Sequence, residues 1–290
     1  MTKKRGGGRY TPPKKRAPSP ATHSSAERLK GVQAKVERAK HHVQDLKGAI
    51  ESFFAANPYE VGTKRNPETR QLIYYVVRVK DVPPMVNVIA GEVLQSLRSA
   101  LDHLAYQLVL VGTGQAGPFH YVYFPICDSA EEYESKKLRQ IKGMRQNAIE
   151  AIDAVKPYKG GNDTLWRLHK LNIVDKHRLL VTVGSQMRSV DLGAHMASLM
   201  KKSTGIEFPA ISAFFRAAPT DPLAPFEPLK AGEELFIDGP DAEPNEHMQF
   251  RFEVSLSEPG VLQGEPIIEA LHQMVDLVDH LIPTFGPLLR

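Results

Sequence analysis

The sequence contains a single cysteine, Cys127, among its 290 residues. No internal disulfide can form, so the fold must be stabilised by its own core. Hydrophobic residues make up 42% of the chain, which is enough to bury a sizeable core without disulfide or metal support. A lone cysteine also suits a reducing compartment, and we expect a cytoplasmic protein.

Long apolar runs are also missing. No stretch approaches the roughly 20 consecutive apolar residues that a membrane span needs, and the basic N-terminus is not followed by the apolar segment of a secretory signal. These two absences lead us to expect no membrane span and no membrane partner.

Acidic residues are missing from the stretch before Glu27, where seven lysines and arginines lie. The whole chain has a net charge of +4, so the remainder carries about −3. Residues 1–24 are rich in Gly and Pro and are predicted to be a disordered basic tail. Such a tail either binds RNA or another polyanion or only aids solubility. The basic residues expected to contact a nucleic acid are Lys3, Lys4, Arg5, Lys14, Lys15 and Arg16.

Two long stretches carry apolar residues at alternating spacings of three and four, which predicts two amphipathic helices. The first runs from about 25 to 56, and the second from Pro84 to Thr113. Two such apolar seams interdigitate when their helices pack together, so we expect an antiparallel pair. The seam of the second helix is Ala90, Leu94, Leu97, Leu101, Leu104 and Leu108.

Other segments lack the helical spacing of apolar residues. Residues 59–82 are rich in β-branched and aromatic residues and predict a β-hairpin between the two helices. Short strand patterns separated by Pro and Gly predict a small antiparallel β layer at about 187–258, inserted before a C-terminal helix at 264–285 that returns to the bundle. The predicted fold class is α+β, predominantly helical. Residues 25–290 would form an antiparallel bundle of four or five helices with a β-hairpin and a small antiparallel sheet.

The second helix carries Arg98, Asp102 and His103 beside its seam. Arg98-x4-His103 resembles the signature motif of the HEPN superfamily of helical-bundle proteins, many of which are dimeric, metal-independent RNases. That resemblance implies that His103 is the acid or base acting on a ribose 2′-OH and that Arg98 holds the scissile phosphate. The chemistry is coherent, because His titrates near neutral pH and the Arg fork matches phosphate oxygens. It also implies a homodimer that uses no cofactor.

The chain is similar, more broadly, to an uncharacterised bacterial protein family, across about residues 58–180. The shared elements are the Leu-Arg-Ser-Ala-Leu-Asp-His-Leu core at 97–104, the Phe-Pro-Ile at 124–126 and an Asp-Lys-His-Arg segment within 171–178. This second resemblance implies no particular activity.

The spacing of Arg98 and His103 on a helix limits how the motif could be active. Five residues advance about 500° around a helix, so the side chains of Arg98 and His103 lie roughly 140° apart. A catalytic site would therefore need a second surface, either a dimer mate or the helix predicted at about 165–180. The alternative is structural, with Arg98 paired to Asp102 four residues on.

The helix at 165–180 is the second polar segment, and its residues are the candidates for substrate binding: His169, Asn172, Asp175, Lys176, His177 and Arg178. If it faced the first motif, these side chains could complete a phosphate-binding pocket, or Asp and His could hold a metal. Because the histidines are eight residues apart, we name no metal ligands. Three hypotheses follow: a HEPN-like RNA-cleaving or RNA-processing protein, linked to defence or stress; a non-catalytic helical module binding nucleic acid or protein; and a metal-dependent bundle hydrolase.

Overall fold

The computed structural model describes residues 23–115, 117–191, 200–201, 204–206, 214–216, 228–244 and 248–290. The predicted tail at 1–24 lies almost entirely outside the described residues. Much of the predicted β layer between 192 and 227 lies outside them too.

The two long helices form with nearly the predicted bounds. Helix α1 spans Ser25–Ala55. It begins with a capping box, in which the Ser24 hydroxyl accepts from the Glu27 amide while the Glu27 carboxylate accepts from the Ser24 amide. Helix α2 spans Pro84–Thr113, follows Pro83 and ends at Gly114, whose φ of 64° provides a left-handed C-cap.

Helices α1 and α2 pack antiparallel. Near the start of α1, Arg28 donates to Gln107 at 3.3 Å, and halfway along α1, His42 Nδ1 lies 3.2 Å from Glu92. The predicted seam of α2 is at most 1% exposed at every position. Because burying each leucine contributes about 1.5–3 kcal/mol, this seam is a main source of stability.

Four more helices and a 3₁₀ turn complete the helical part that the structure describes. They are α3 (Ala130–Gln140), α4 (Gln146–Val155), α5 (Asp163–His177), α6 (Ile267–Thr284) and the 3₁₀ turn Gly286–Leu289. Helices α5 and α6 pack against α2, and α6 also packs on α1. The helix predicted at about 165–180 ends at His177, and Leu179 beyond it is 48% exposed.

The strands form two antiparallel sheets. The strands are β1 (Tyr59–Arg65), β2 (Leu72–Val79), β3 (Thr182–Asp191), β4 (Phe214–Arg216), β5 (Glu234–Asp238), β6 (Gln249–Glu258) and β7 (Leu262–Pro266). One sheet has the order β1-β2-β5 and the other β4-β3-β6-β7. The fold class is thus confirmed as α+β and predominantly helical, but the hairpin does not stand apart from the later strands. Strand β5 pairs along β2, where Ile73 lies opposite Ile237.

Candidate functional site

Arg98 lies on the buried side of α2. Its side chain is 8% exposed, and its Nη2 donates to Asp102 Oδ1 at 2.9 Å and to the Phe124 carbonyl at 2.8 Å. The same Asp102 oxygen accepts from the Phe124 amide at 2.9 Å. The two side chains therefore bind both backbone polar groups of Phe124. We call Arg98, Asp102 and the Phe124 backbone the Phe124 clamp.

Burial dominates the electrostatics of the clamp. It raises the pKa of the Asp102 carboxyl, while the Arg98 charge and the Phe124 amide act in the opposite direction. Burial also lowers the pKa of the Arg98 guanidinium. Two desolvated charges of opposite sign depend on each other, since removing either leaves the other unpaired inside the fold.

His103 follows Asp102 directly but is exposed. One residue turns the helix by about 100°, which carries the imidazole away from the clamp and into solvent. The single chain thus places the two motif residues in different environments, Arg98 inside and His103 outside. This agrees with the angular separation expected from their spacing.

Helix α5 directs two of its predicted site residues towards α2. Asn172 is 1% exposed and His169 is partly buried. Burial, with the nearby positive charges of Arg98, Lys170 and Lys176, lowers the pKa of His169 to about 4 despite the opposing charge of Asp128. The ring is therefore neutral near pH 7.

Helices α2 and α5 carry three buried polar atoms without a hydrogen-bond partner among the described residues. They are Arg98 Nη1, His169 Nδ1 and Asn172 Oδ1. A buried polar atom without a partner costs free energy.

The other predicted residues of α5 differ in their surroundings. Asp175 packs against Gly91 of α2, where an added Cβ would come within 2.3 Å of the carboxylate, and burial raises the pKa of Asp175. Lys176 and His177 are exposed. Arg178 makes two hydrogen bonds, of 3.0 and 2.7 Å, to the buried Glu258.

The structure thus pairs Arg98 with Asp102 on α2, places the Arg98 charge near His169 of α5 and packs Asp175 of α5 against Gly91, while His103, Lys176 and His177 are exposed. Among the described residues, no three His, Cys, Asp or Glu side chains come together as ligands for a metal ion. None of the helices in that part of the chain is long and apolar enough to cross a membrane.

A second surface was not predicted from the sequence. Tyr121 and Tyr123 are 63% and 48% exposed in the loop that follows α2, and the Arg139 guanidinium of α3 lies 5.1 Å from the centre of the Tyr121 ring. Together with the exposed His120 and Lys142 they form what we call the aromatic–basic surface. Most of it lines a cavity of about 420 Å³, whose wall is completed by Thr113, Pro118, Phe119, Val122 and Gly143.

Two close backbone contacts hold this surface in place. The backbones of Gly112 and Gly143 approach so closely that a Cβ on Gly112 would come within 2.0 Å of the Gly143 carbonyl. The Tyr123 amide donates to the Gln140 carbonyl at 3.3 Å, which ties the loop to the end of α3. The signal in the sequence is a run of five basic residues without an acid between 136 and 145. Shortly before it come two tyrosines, at 121 and 123, with one residue between them.

No family model, no curated protein and no solved structure matches the chain.

Proposed function

We propose that this protein is a helical module that binds nucleic acid without cleaving it. RNA is the nucleic acid that we expect it to bind. The observation that carries the proposal is the position of Arg98, whose guanidinium is bound inside the fold to Asp102 and Phe124. A buried guanidinium cannot at the same time hold a scissile phosphate. The clamp therefore supports a structural role for the Arg-x4-His motif in the single chain.

Cations available for binding lie elsewhere. The basic residues before Glu27 and the exposed Arg139 and Lys142 can neutralise backbone phosphates, releasing counterions. Exposed aromatic side chains beside them add stacking platforms for unpaired bases. This combination favours nucleic acid over a protein partner.

A HEPN-like RNase is the second candidate, because His103 is exposed on the turn that carries Asp102. In that case His103 would act as acid or base, and a second protomer would have to supply the phosphate-binding cation. The predicted homodimer and the predicted role in defence or stress both follow from this second candidate and not from the first.

The first prediction tests RNA binding, which both candidates require. The purified chain should bind labelled single-stranded RNA with an affinity that falls steeply as salt rises, because phosphate contacts release counterions. Binding would be measured by fluorescence anisotropy at several salt concentrations. Replacing Lys14, Lys15 and Arg16 together with Gln should flatten the slope of log affinity against log salt by up to about two, since each of the three neutralised phosphates contributes about 0.7 for a single strand.

The matching cleavage assay uses wild type and His103→Ala, each with and without EDTA. We expect intact RNA in all four reactions. Cleavage by the wild type that persists in EDTA and disappears in His103→Ala would instead establish the HEPN-like candidate. An absence of salt-dependent RNA binding would contradict the proposed module.

A further inference from the structure

We propose that the cavity of the aromatic–basic surface is a nucleobase site for single-stranded RNA, in which one unpaired base stacks on Tyr121. This inference rests on the proposed function and names the class of ligand and the residues that receive it. It does not involve the Arg-x4-His motif.

The Tyr121 ring is a stacking platform with one side already supported. Arg139 lies over it at 5.1 Å from the ring centre, while 63% of the residue stays exposed. A cation on one face of a tyrosine ring makes the platform rigid and leaves the other face open. Stacking of a base on such a platform is tolerant of sequence, because every base has a π face.

The backbone at Tyr121 adds a second, independent observation. Its φ is +64°, a left-handed conformation that is unfavourable for a tyrosine. Residues held in such conformations cluster at ligand-binding sites, where the surrounding structure fixes them. Two residues further on, the Tyr123 amide donates a hydrogen bond to the Gln140 carbonyl, while Tyr121 itself is 63% exposed.

Charge determines what else the cavity accepts. Its lining contains Arg139 and Lys142 and no acidic residue, so an anion bound beside the base is favoured. A volume of about 420 Å³ lies within the usual range for small-ligand sites and has room for one nucleobase with its ribose. An unpaired nucleotide supplies both the flat base and the phosphate, whereas a base pair in a duplex cannot present its face to Tyr121.

A second cleft among the described residues does not combine these features. This cavity of about 320 Å³ near Lys159 and Trp166 is lined by Asp163 as well as by basic groups, and Trp166 is only 6% exposed, with Lys159 over its ring.

The test compares variants of the full chain for binding to a labelled single-stranded oligoribonucleotide and to its duplex. Tyr121→Asn removes the ring, and asparagine tolerates a positive φ, so the loop should keep its shape. We expect its affinity for the single strand to fall at least fivefold, about the loss from removing one stacked base. Tyr121→Phe keeps the ring and should bind within about twofold of wild type. Affinity for the duplex should be the same for all three proteins.

A matched pair of charge variants separates the site from general electrostatics. Lys64 lies over the Tyr75 ring at 5.1 Å, the same distance as Arg139 from Tyr121. Arg139→Gln and Lys64→Gln therefore each remove one positive charge and one cation–π contact, and Lys64→Gln also removes the ion pair of Lys64 with Glu234 at 3.0 Å. Arg139→Gln should weaken single-strand binding more than Lys64→Gln does.

A fluorescent 2-aminopurine placed in the oligonucleotide gives a direct readout, because stacking on the tyrosine quenches it. We expect quenching by wild type and Tyr121→Phe and none by Tyr121→Asn. If the wild type binds RNA in a salt-dependent way but Tyr121→Asn binds equally well, the nucleobase site is wrong and the proposed function stands. If the wild type binds no RNA, both fail.

Discussion

Asp102→Ala should lower the free energy of unfolding by about 3–5 kcal/mol, the range observed when one partner of a buried ion pair is removed. The Arg98 guanidinium would lose its counterion inside the fold, where its side chain is only 8% exposed. The Phe124 amide would lose its acceptor in the same step. Urea denaturation followed by circular dichroism measures the change.

His103→Ala is the matched control, since it removes a neighbouring polar side chain that is exposed. Its effect should stay within about 0.5 kcal/mol, as for most surface substitutions. Asp102→Asn keeps an acceptor for the Phe124 amide but not the charge, and should lie between the two. An Asp102→Ala protein as stable as the His103→Ala protein would show that the Phe124 clamp does not stabilise the fold.

A double variant tests whether the clamp is an ion pair or a backbone anchor. Apolar replacement of both partners of a buried ion pair is often close to neutral. Here Arg98→Met with Asp102→Leu would also leave the Phe124 amide and carbonyl without partners. We therefore expect the double variant to recover only part of the stability lost by Asp102→Ala. The remaining loss would measure how strongly the clamp holds the loop after α2.

The long helices were predictable because their information is local. The seam of α2 repeats every three and four residues, and its bounds at Pro84 and Thr113 follow from flanking Pro and Gly. The Arg98–Asp102 pair could also be predicted from the sequence, since residues four apart on a helix are neighbours. What the spacing could not reveal is that Phe124, 26 residues beyond Arg98, completes the clamp.

The features that the sequence did not predict were mainly pairings between residues far apart in the chain. The pairing of β5 with β2 joins Glu234 to Tyr75 across a segment with no local signal for it. The aromatic–basic surface was missed for the same reason, because Tyr121 and Arg139 meet only when the loop after α2 folds back against the end of α3. No local pattern in this loop indicated which tyrosines would be exposed.

His169 should make the fold sensitive to acid. In the unfolded chain a histidine titrates near 6.5, whereas burial lowers the pKa of His169 in the fold to about 4. Above pH 6.5 both states are neutral and the contribution of His169 to stability is fully present. As pH falls from 6.5 towards 4, the unfolded chain binds a proton that the folded chain excludes, so stability is lost.

The size of this effect follows from the two pKa values. Between pH 7.5 and pH 5.0, His169 should account for about 2 kcal/mol of lost stability. His169→Gln cannot titrate, so its free energy of unfolding should fall by about 2 kcal/mol less than that of wild type over the same interval. His103→Gln, which alters an exposed ring, should retain the wild-type pH dependence. Urea denaturation of the three proteins at both pH values provides the comparison.

The charges around His169 explain why acid acts through this residue. Burial is the main obstacle to protonation of His169, and the charges of Arg98, Lys170 and Lys176 add to it, with Asp128 as an opposing charge. Arg98 cannot turn away to relieve the repulsion, because its Nη2 is bound to Asp102 and Phe124. Protonation of His169 therefore places a second positive charge near a guanidinium that is fixed inside the fold. Equal losses for wild type and His169→Gln would show that acid acts on other groups and that the fold tolerates the additional charge.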